Sequence, residues 1–237
     1  MKNRSFKAIL KLLYAGLFFA LVFNACTPAY VPNVINTPLL SNKGEFQCAI
    51  HTGTAGNDPQ FAYAITDNIG VMLNGSFANR TSDSTDDFHK HQFVEIGSGY
   101  FTKLGNSGRF EVFGGFGLGK LKAKLDNNLW MSYEDVTSNR IFIQPAIGAA
   151  TEIFDASLAA RFVMVNMKQS SAKNTGLFLE PVMTTKVGYK YVKLVFQLGL
   201  SFPLNSKTRE FSYQPFIFSI GLNGYIGRNY NDYKIKI

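Results

Sequence analysis

The sequence has only two cysteines, one tryptophan and three histidines in 237 residues, and 17% of it is charged. Two cysteines cannot build the disulfide framework that stabilises small secreted scaffolds. Beyond residue 30 no apolar run reaches the 18 or more residues of a membrane-crossing helix, which excludes a polytopic helical membrane protein. A basic cluster is also missing. Lys and Arg number 24 against 16 Asp and Glu, a net charge of +8. Four of the basic residues (Lys2, Arg4, Lys7, Lys11) crowd the start, and the remaining excess of four is scattered, so no nucleic-acid partner is expected despite a pI near 9.4. What is plentiful is apolar and aromatic: 46% of residues are hydrophobic, with 22 Phe, 11 Tyr and 21 Gly. That composition excludes intrinsic disorder and a coiled coil.

Residues 1–25 follow the grammar of an export signal, with a basic stretch from Met1 to Lys11, an apolar stretch from Leu12 to Phe23, then Asn24, Ala25 and Cys26. Its apolar part spans only about 20 Å as a helix, short of a ~30 Å hydrocarbon core, so removal is expected rather than retention as an anchor. The segment resembles a bacterial lipoprotein signal, in which a small residue precedes a cysteine that is lipidated after cleavage; the resemblance makes Cys26 the lipidation site. Cys48 is expected as a small apolar residue facing outward from a strand, with a Cys26 to Cys48 disulfide as the competing arrangement.

Residues 26–43 are rich in Pro, Asn, Thr and Ser, which suggests an extended tether. From residue 44 the pattern becomes period two. Ten strands are expected, at 44–54, 59–66, 69–78, 91–104, 108–122, 140–153, 156–167, 176–187, 191–202 and 213–226, with eight as the alternative count and 227–237 as a tail. Leu194, Phe196, Leu198, Leu200 and Phe202 share one face, and Val195, Gln197, Gly199 and Ser201 the other. Phe216, Phe218, Ile220 and Leu222 likewise oppose Ser219, Gly221 and Asn223. Linkers alternate short and long. The short ones carry turn residues (Asp67 and Asn68, Gly105 to Ser107, Asp155, Gly188), while 79–90, 123–139, 168–175 and 203–212 are long and polar. This combination resembles the small outer-membrane β-barrels of Gram-negative bacteria, the OmpA-like and OmpX-like group. The resemblance implies an all-β, antiparallel, up-and-down transmembrane barrel, an outer-membrane address and both termini in the periplasm.

Alternation alone does not say which face looks inward. Nearly all the expected strands reach the ~9–11 residues needed to cross a bilayer, and aromatic residues near their ends (Tyr63, Tyr100, Phe101, Tyr189, Tyr191, Phe202, Phe211, Tyr213, Tyr225, with Trp130 and Tyr133 in the longest linker) suit interfacial girdles. The few charges on the polar faces, Arg109, Glu111, Arg161, Glu180 and Lys186, make sense as a charge network in a wet lumen. Each Arg or Lys turned to lipid at mid-depth would instead cost ~2–4 kcal/mol.

Several apparent motifs dissolve on inspection. Gly114 to Lys120 has phosphate-loop spacing, but Leu121 stands where Ser or Thr should follow, so a strand is expected with glycines making room for bulky lumen neighbours. His89 and His91 are expected in a solvated loop, with no metal site. His51 could be drawn into a triad with a Ser or Glu, but period two shows no proximity, and no catalytic residues, cofactor or metal are assigned. The function expected is structural or surface-interacting, with outer-membrane lipid and an extracellular or periplasmic protein as partners. The alternatives are a lipid-anchored periplasmic barrel holding a hydrophobic ligand, a small-solute channel, and a lipid-modifying barrel enzyme.

Overall fold

Period-two sequence forces side chains to alternate across a strand, and ten such strands close on themselves. The computed structural model describes residues 28–81, 88–124, 132–169, 172–205 and 212–230, with the side chains of 132–134 and 172 left out. The strands are β1 (Phe46–Gly53), β2 (Asn57–Ala64), β3 (Ile69–Thr81), β4 (Phe88–Leu104), β5 (Gly108–Lys124), β6 (Ser132–Ala150), β7 (Phe154–Gln169), β8 (Ala172–Tyr189), β9 (Val192–Leu200), β10 (Phe202–Pro203) and β11 (Phe216–Ile226). Each long strand pairs antiparallel with its neighbours in the chain. β9 pairs with both β8 and β11, and β11 pairs with β1 from Phe46↔Ile226 to Gly53↔Ser219, so no edge is left open. β10 is a two-residue continuation of β9 past Ser201, paired on β8. The result is a closed, antiparallel, ten-stranded barrel.

The two faces of the wall are chemically opposite. Outward stand Ile50, Leu73, Ile96, Leu118, Ile141, Ile143, Leu158, Phe196, Leu198, Phe218 and Leu222, with Ile96 63% and Leu158 61% exposed. Inward stand Glu95, Arg109, Glu111, Arg140, Arg161, Glu180, Lys186 and Lys193, all buried. One mouth, here the lower, carries the turns at 65–68, 105–107, 151–153 and 190–191; the upper carries the turn at 54–56 and the strand ends Thr81, Phe88, Lys124, Ser132, Gln169, Ala172 and Pro203. Tyr63, Tyr100, Tyr189 and Tyr191 are all exposed near the lower mouth and form an outward aromatic ring there. Phe101 and Tyr225, expected in that ring, point inward and are buried. Trp130 and Phe211 lie outside the described residues, as does the side chain of Tyr133.

Three expectations about linkers need correction. The strands run well into the segments read as loops 79–90, 123–139 and 168–175, because the wall changes polarity near the upper mouth. On β5, Leu118 is the last apolar outward residue; Lys120 and Lys122 follow outward while Leu121 and Ala123 turn inward and are buried. Thr137 and Asn139 on β6 continue the polar outward belt, with Val136 buried inside. The apolar face thus switches sides, which in the sequence looks like the end of a strand. Asp155 and Gly188, read as turn residues, lie within β7 and β8; the turn between β8 and β9 instead uses Lys190 at φ 43°. The weak, Ala-rich run near 59–66 is a real strand, two residues earlier.

The larger surprise is the segment expected as a tether. Residues 29–41 do not lead away from the barrel but lie inside it: Tyr30, Val34, Ile35, Leu39 and Leu40 are at most 1% exposed. Of residues 1–27, including the expected signal and Cys26, nothing is described.

Candidate functional site: the lumen and the segment that fills it

The plug, residues 28–43, enters at the upper mouth and leaves at the lower. At the top, the Ala29 and Tyr30 amides donate to the Ser212 carbonyl at 2.7 and 2.9 Å, and the Gln214 amide donates back to Tyr30 at 2.9 Å. The Tyr30 ring stacks on Phe178 at 4.4 Å, its hydroxyl donates to Glu180 Oε1 at 2.5 Å, and the Arg140 guanidinium lies 4.8 Å from its centre. At the bottom, Gly44 N donates to the Ala64 carbonyl at 2.9 Å and Asn42 Nδ2 to the Gly227 carbonyl at 2.8 Å, where β1 begins.

An extended chain in a barrel has no neighbouring strand to satisfy its amides, and a buried amide without a partner costs about 1–3 kcal/mol. Lumen side chains supply the partners. Gln197 brackets Ile35, its Oε1 accepting from the amide and its Nε2 donating to the carbonyl, both at 2.8 Å. Gln60 donates to the Val34 carbonyl and Gln144 to that of Asn36, each at 2.8 Å. Arg140 Nη2 donates to the Val31 carbonyl at 3.1 Å and Lys186 Nζ to that of Thr37 at 2.9 Å. Glu111 Oε2 accepts from Leu39 N at 2.8 Å, and Glu45 Oε2 from Ser41 N at 2.7 Å. Glutamine, carrying a donor and an acceptor on one amide, suits this main-chain recognition. These residues come from five strands (β2, β5, β6, β8 and β9) and the turn into β1, so only the closed barrel brings them together.

Shape follows the same logic. A Cβ at Gly70 would sit 2.5 Å from Leu40 Cδ1, and one at Gly148 would sit 3.0 Å from Leu39 Cδ1, so these glycines leave the hollows that the plug leucines fill. Leu39 itself adopts φ 51°, the left-handed region a leucine avoids, and two hydrogen-bonded carbonyl contacts hold it there. In the Gly114 to Lys120 stretch, which is strand as expected, Cβ atoms at Gly117 and Gly119 would each lie 2.4 Å from the Phe93 ring.

All five residues expected as a lumen charge network face the interior, but they do not form one network. At mid-height Arg161 pairs with Glu95 at 2.6 Å and approaches Glu180 at 3.9 Å, with its guanidinium 4.3 Å from the Phe142 ring. Asn33 and Asn74 also donate to Glu95, at 3.5 and 2.9 Å, and Ser201 to Glu180 at 3.2 Å. Arg109 lies near the lower mouth and donates to Ser41 Oγ at 3.2 Å, while Glu111 and Lys186 serve the plug backbone. The strongest cluster was missed: Arg228 pairs with Glu45 at 2.7 Å and Asp155 at 3.1 Å, Lys193 pairs with Asp155 at 2.6 Å, and Tyr225 donates to Asp155 at 3.0 Å. Arg228 also donates to the Pro38 and Leu39 carbonyls, both at 2.9 Å. Burial opposes its charge, but Glu45 and Asp155 outweigh that and raise its pKa well above the ordinary arginine value. Arg228 lay in the expected tail, Glu45 at a strand start and Asp155 at an expected turn, so no periodic signal marked them.

The remaining candidates fall out plainly. Cys48 is a free thiol on the outward face of β1. His89 and His91 are on β4, not in a solvated loop. They lie 2.9 Å apart, with His91 Nε2 3.0 Å from Ser76 Oγ, and no group of three metal-ligating side chains occurs among the described residues. His51 Nδ1 lies 3.2 Å from Ser219 Oγ, a nucleophile and base within reach of each other, but both are buried inside the plugged barrel. No family model matches the chain, and no curated protein matches it in sequence.

Proposed function

We propose that this protein is an outer-membrane β-barrel closed by its own N-terminal segment, with a structural or surface-interacting role rather than a transport or catalytic one. One observation carries the membrane reading: the wall is inside out relative to a water-soluble barrel, with large apolar side chains outward and buried Arg, Lys, Glu and Asp inward. An outward apolar band of this extent is far larger than the patches soluble monomers expose, and lipid tails are the solvent that stabilises it. The aromatic ring at the lower mouth and the polar belt above Leu118 mark where such a band would meet headgroups. The alternative of a periplasmic barrel holding a hydrophobic ligand finds little support, because ionic residues and the plug occupy the interior. The plug likewise argues against an open channel.

Membrane fractionation and heat-modifiable electrophoresis test the proposal. The protein should resist extraction by alkaline carbonate, dissolve in detergent, and migrate differently in SDS before and after boiling. Folded protein that remains monomeric and dissolved without detergent overturns it.

A further inference from the structure

The path of the plug carries a consequence for sidedness. We propose that the barrel holds its own N-terminal arm across the membrane, so that the chain preceding Pro28 emerges at the upper mouth, opposite the lower turns and Arg228. The inference rests on the membrane reading above, but the threading itself is independent of it.

The two ends of the arm are fixed separately. Tyr30 forms a parallel bridge with Tyr213 in the link into β11, at the upper mouth. Lys43 N donates to Asp67 Oδ1 at 2.9 Å and Asn229 N to Asn42 Oδ1 at 2.8 Å, both at the lower mouth. Between them the main chain of residues 31, 34, 35, 36, 37, 38, 39 and 41 is held by wall side chains, and the order of contacts descends steadily: Arg140 at Val31, Gln60 at Val34, Gln197 at Ile35, Lys186 at Thr37, Arg228 at Leu39. There is no reversal in this sequence of contacts. Fourteen residues in extended form reach on the order of 45 Å, enough for the ~30 Å hydrocarbon thickness.

The resemblance to small outer-membrane barrels implied both termini on one side; a threaded arm separates Pro28 from Arg228 by the full height of the wall. Cys26 is two residues from Pro28 and so within about 7 Å of chain from it. An acyl group on Cys26 would therefore insert into the leaflet next to the upper mouth, not the one next to the lower turns. Lipid and plug would then act together: the acyl chain holds the top of the arm while Arg228, Glu45 and Asp155 hold its foot. The barrel would thereby present its N-terminal end, with any lipid it carries, on the side of the upper mouth.

Two measurements test this. In a Cys26→Ser, Cys48→Ser background refolded in detergent, the pair Ala29→Cys and Ser212→Cys should be joined nearly completely by a short bismaleimide, while Ala29→Cys with Asn106→Cys at the lower mouth should not. The opposite pattern, or no joining in either pair, overturns the threading. In cells, an epitope inserted between Thr27 and Pro28 should share its antibody accessibility with one in the 82–87 link, and differ from one in the 105–107 turn. An epitope at 27/28 that behaves like the 105–107 epitope overturns the sidedness. Joining of Ala29→Cys to Ser212→Cys in protein that stays dissolved without detergent would overturn the membrane reading and leave the threading in place.

Discussion

Replacing Arg228 by methionine removes one cation from a site where two carboxylates and two plug carbonyls converge. All the charged groups involved are at most 1% exposed. Truncating one partner of a buried ion pair costs roughly 3–5 kcal/mol, because the other partner is left charged and dry. Here the loss is partly offset. Asp155 keeps Lys193 at 2.6 Å, Glu45 keeps Gln47 Nε2 at 2.7 Å, and the Pro38 carbonyl keeps Gln47 as a donor, also at 2.7 Å. The Leu39 carbonyl loses the donor described for it. The expected cost is therefore near the lower end, about 3 kcal/mol, or more than a hundredfold in the unfolding equilibrium. Urea unfolding of protein refolded into lipid vesicles measures it, with hydrogen exchange at the Leu39 and Ser41 amides reporting the plug. Arg228→Lys should fall between wild type and Arg228→Met, since it keeps the charge but loses the planar fork. Arg228→Met combined with Glu45→Gln should recover part of the loss by removing the stranded charge. If Arg228→Met costs less than about 1 kcal/mol and leaves those amides protected, the lower cluster does not lock the plug.

Other outcomes follow from the same geometry. Gln197→Leu should leave the Ile35 amide and carbonyl unmet, costing about 2–4 kcal/mol and speeding hydrogen exchange at Ile35 relative to strand amides. Leu40→Ala empties the hollow over Gly70 and should cost about 2–5 kcal/mol in the same urea titration, whereas Gly70→Val should displace Leu40 and weaken the plug without a cavity. Replacing residues 31–41 by a Gly/Ser linker should give discrete conductance steps in planar bilayers where the wild type gives none; a silent linker variant would show that the wall side chains close the lumen unaided. Leu198→Arg, outward at mid-wall, should destabilise the vesicle-bound barrel by about 2–4 kcal/mol, and a neutral effect would count against lipid contact there.

Much of the wall was legible in the sequence because a strand in a two-sided sheet writes its environment into every second residue. Leu194 to Phe202 and Phe216 to Leu222 gave their faces and nearly their ends in this way, and the glycines of β5 were readable as room for large neighbours. Where the solvent outside changes, the code changes sign, and so Lys120, Lys122, Thr137 and Asn139 looked like loop although they are strand. The interior was legible residue by residue but not as a site: Arg161 and Glu180 could be assigned inward, yet their distance to Glu95 depends on strand register, which parity alone does not supply.

Alternation, linker position and the scarcity of charge were enough to point to an all-β up-and-down barrel of ten strands or eight, since each strand's pattern is local; the pairing of β11 with β1 in the closed sheet fixed the count at ten. The placement of residues 29–41 was decided only by the closed structure. An extended, uncharged, Pro- and Asn-rich segment has the same composition whether it hangs free or fills a lumen. What distinguishes the two is a set of side chains, Gln60, Gln144, Gln197, Lys186 and Arg228, that lie far apart in the chain and converge on its backbone when the first strand meets the last.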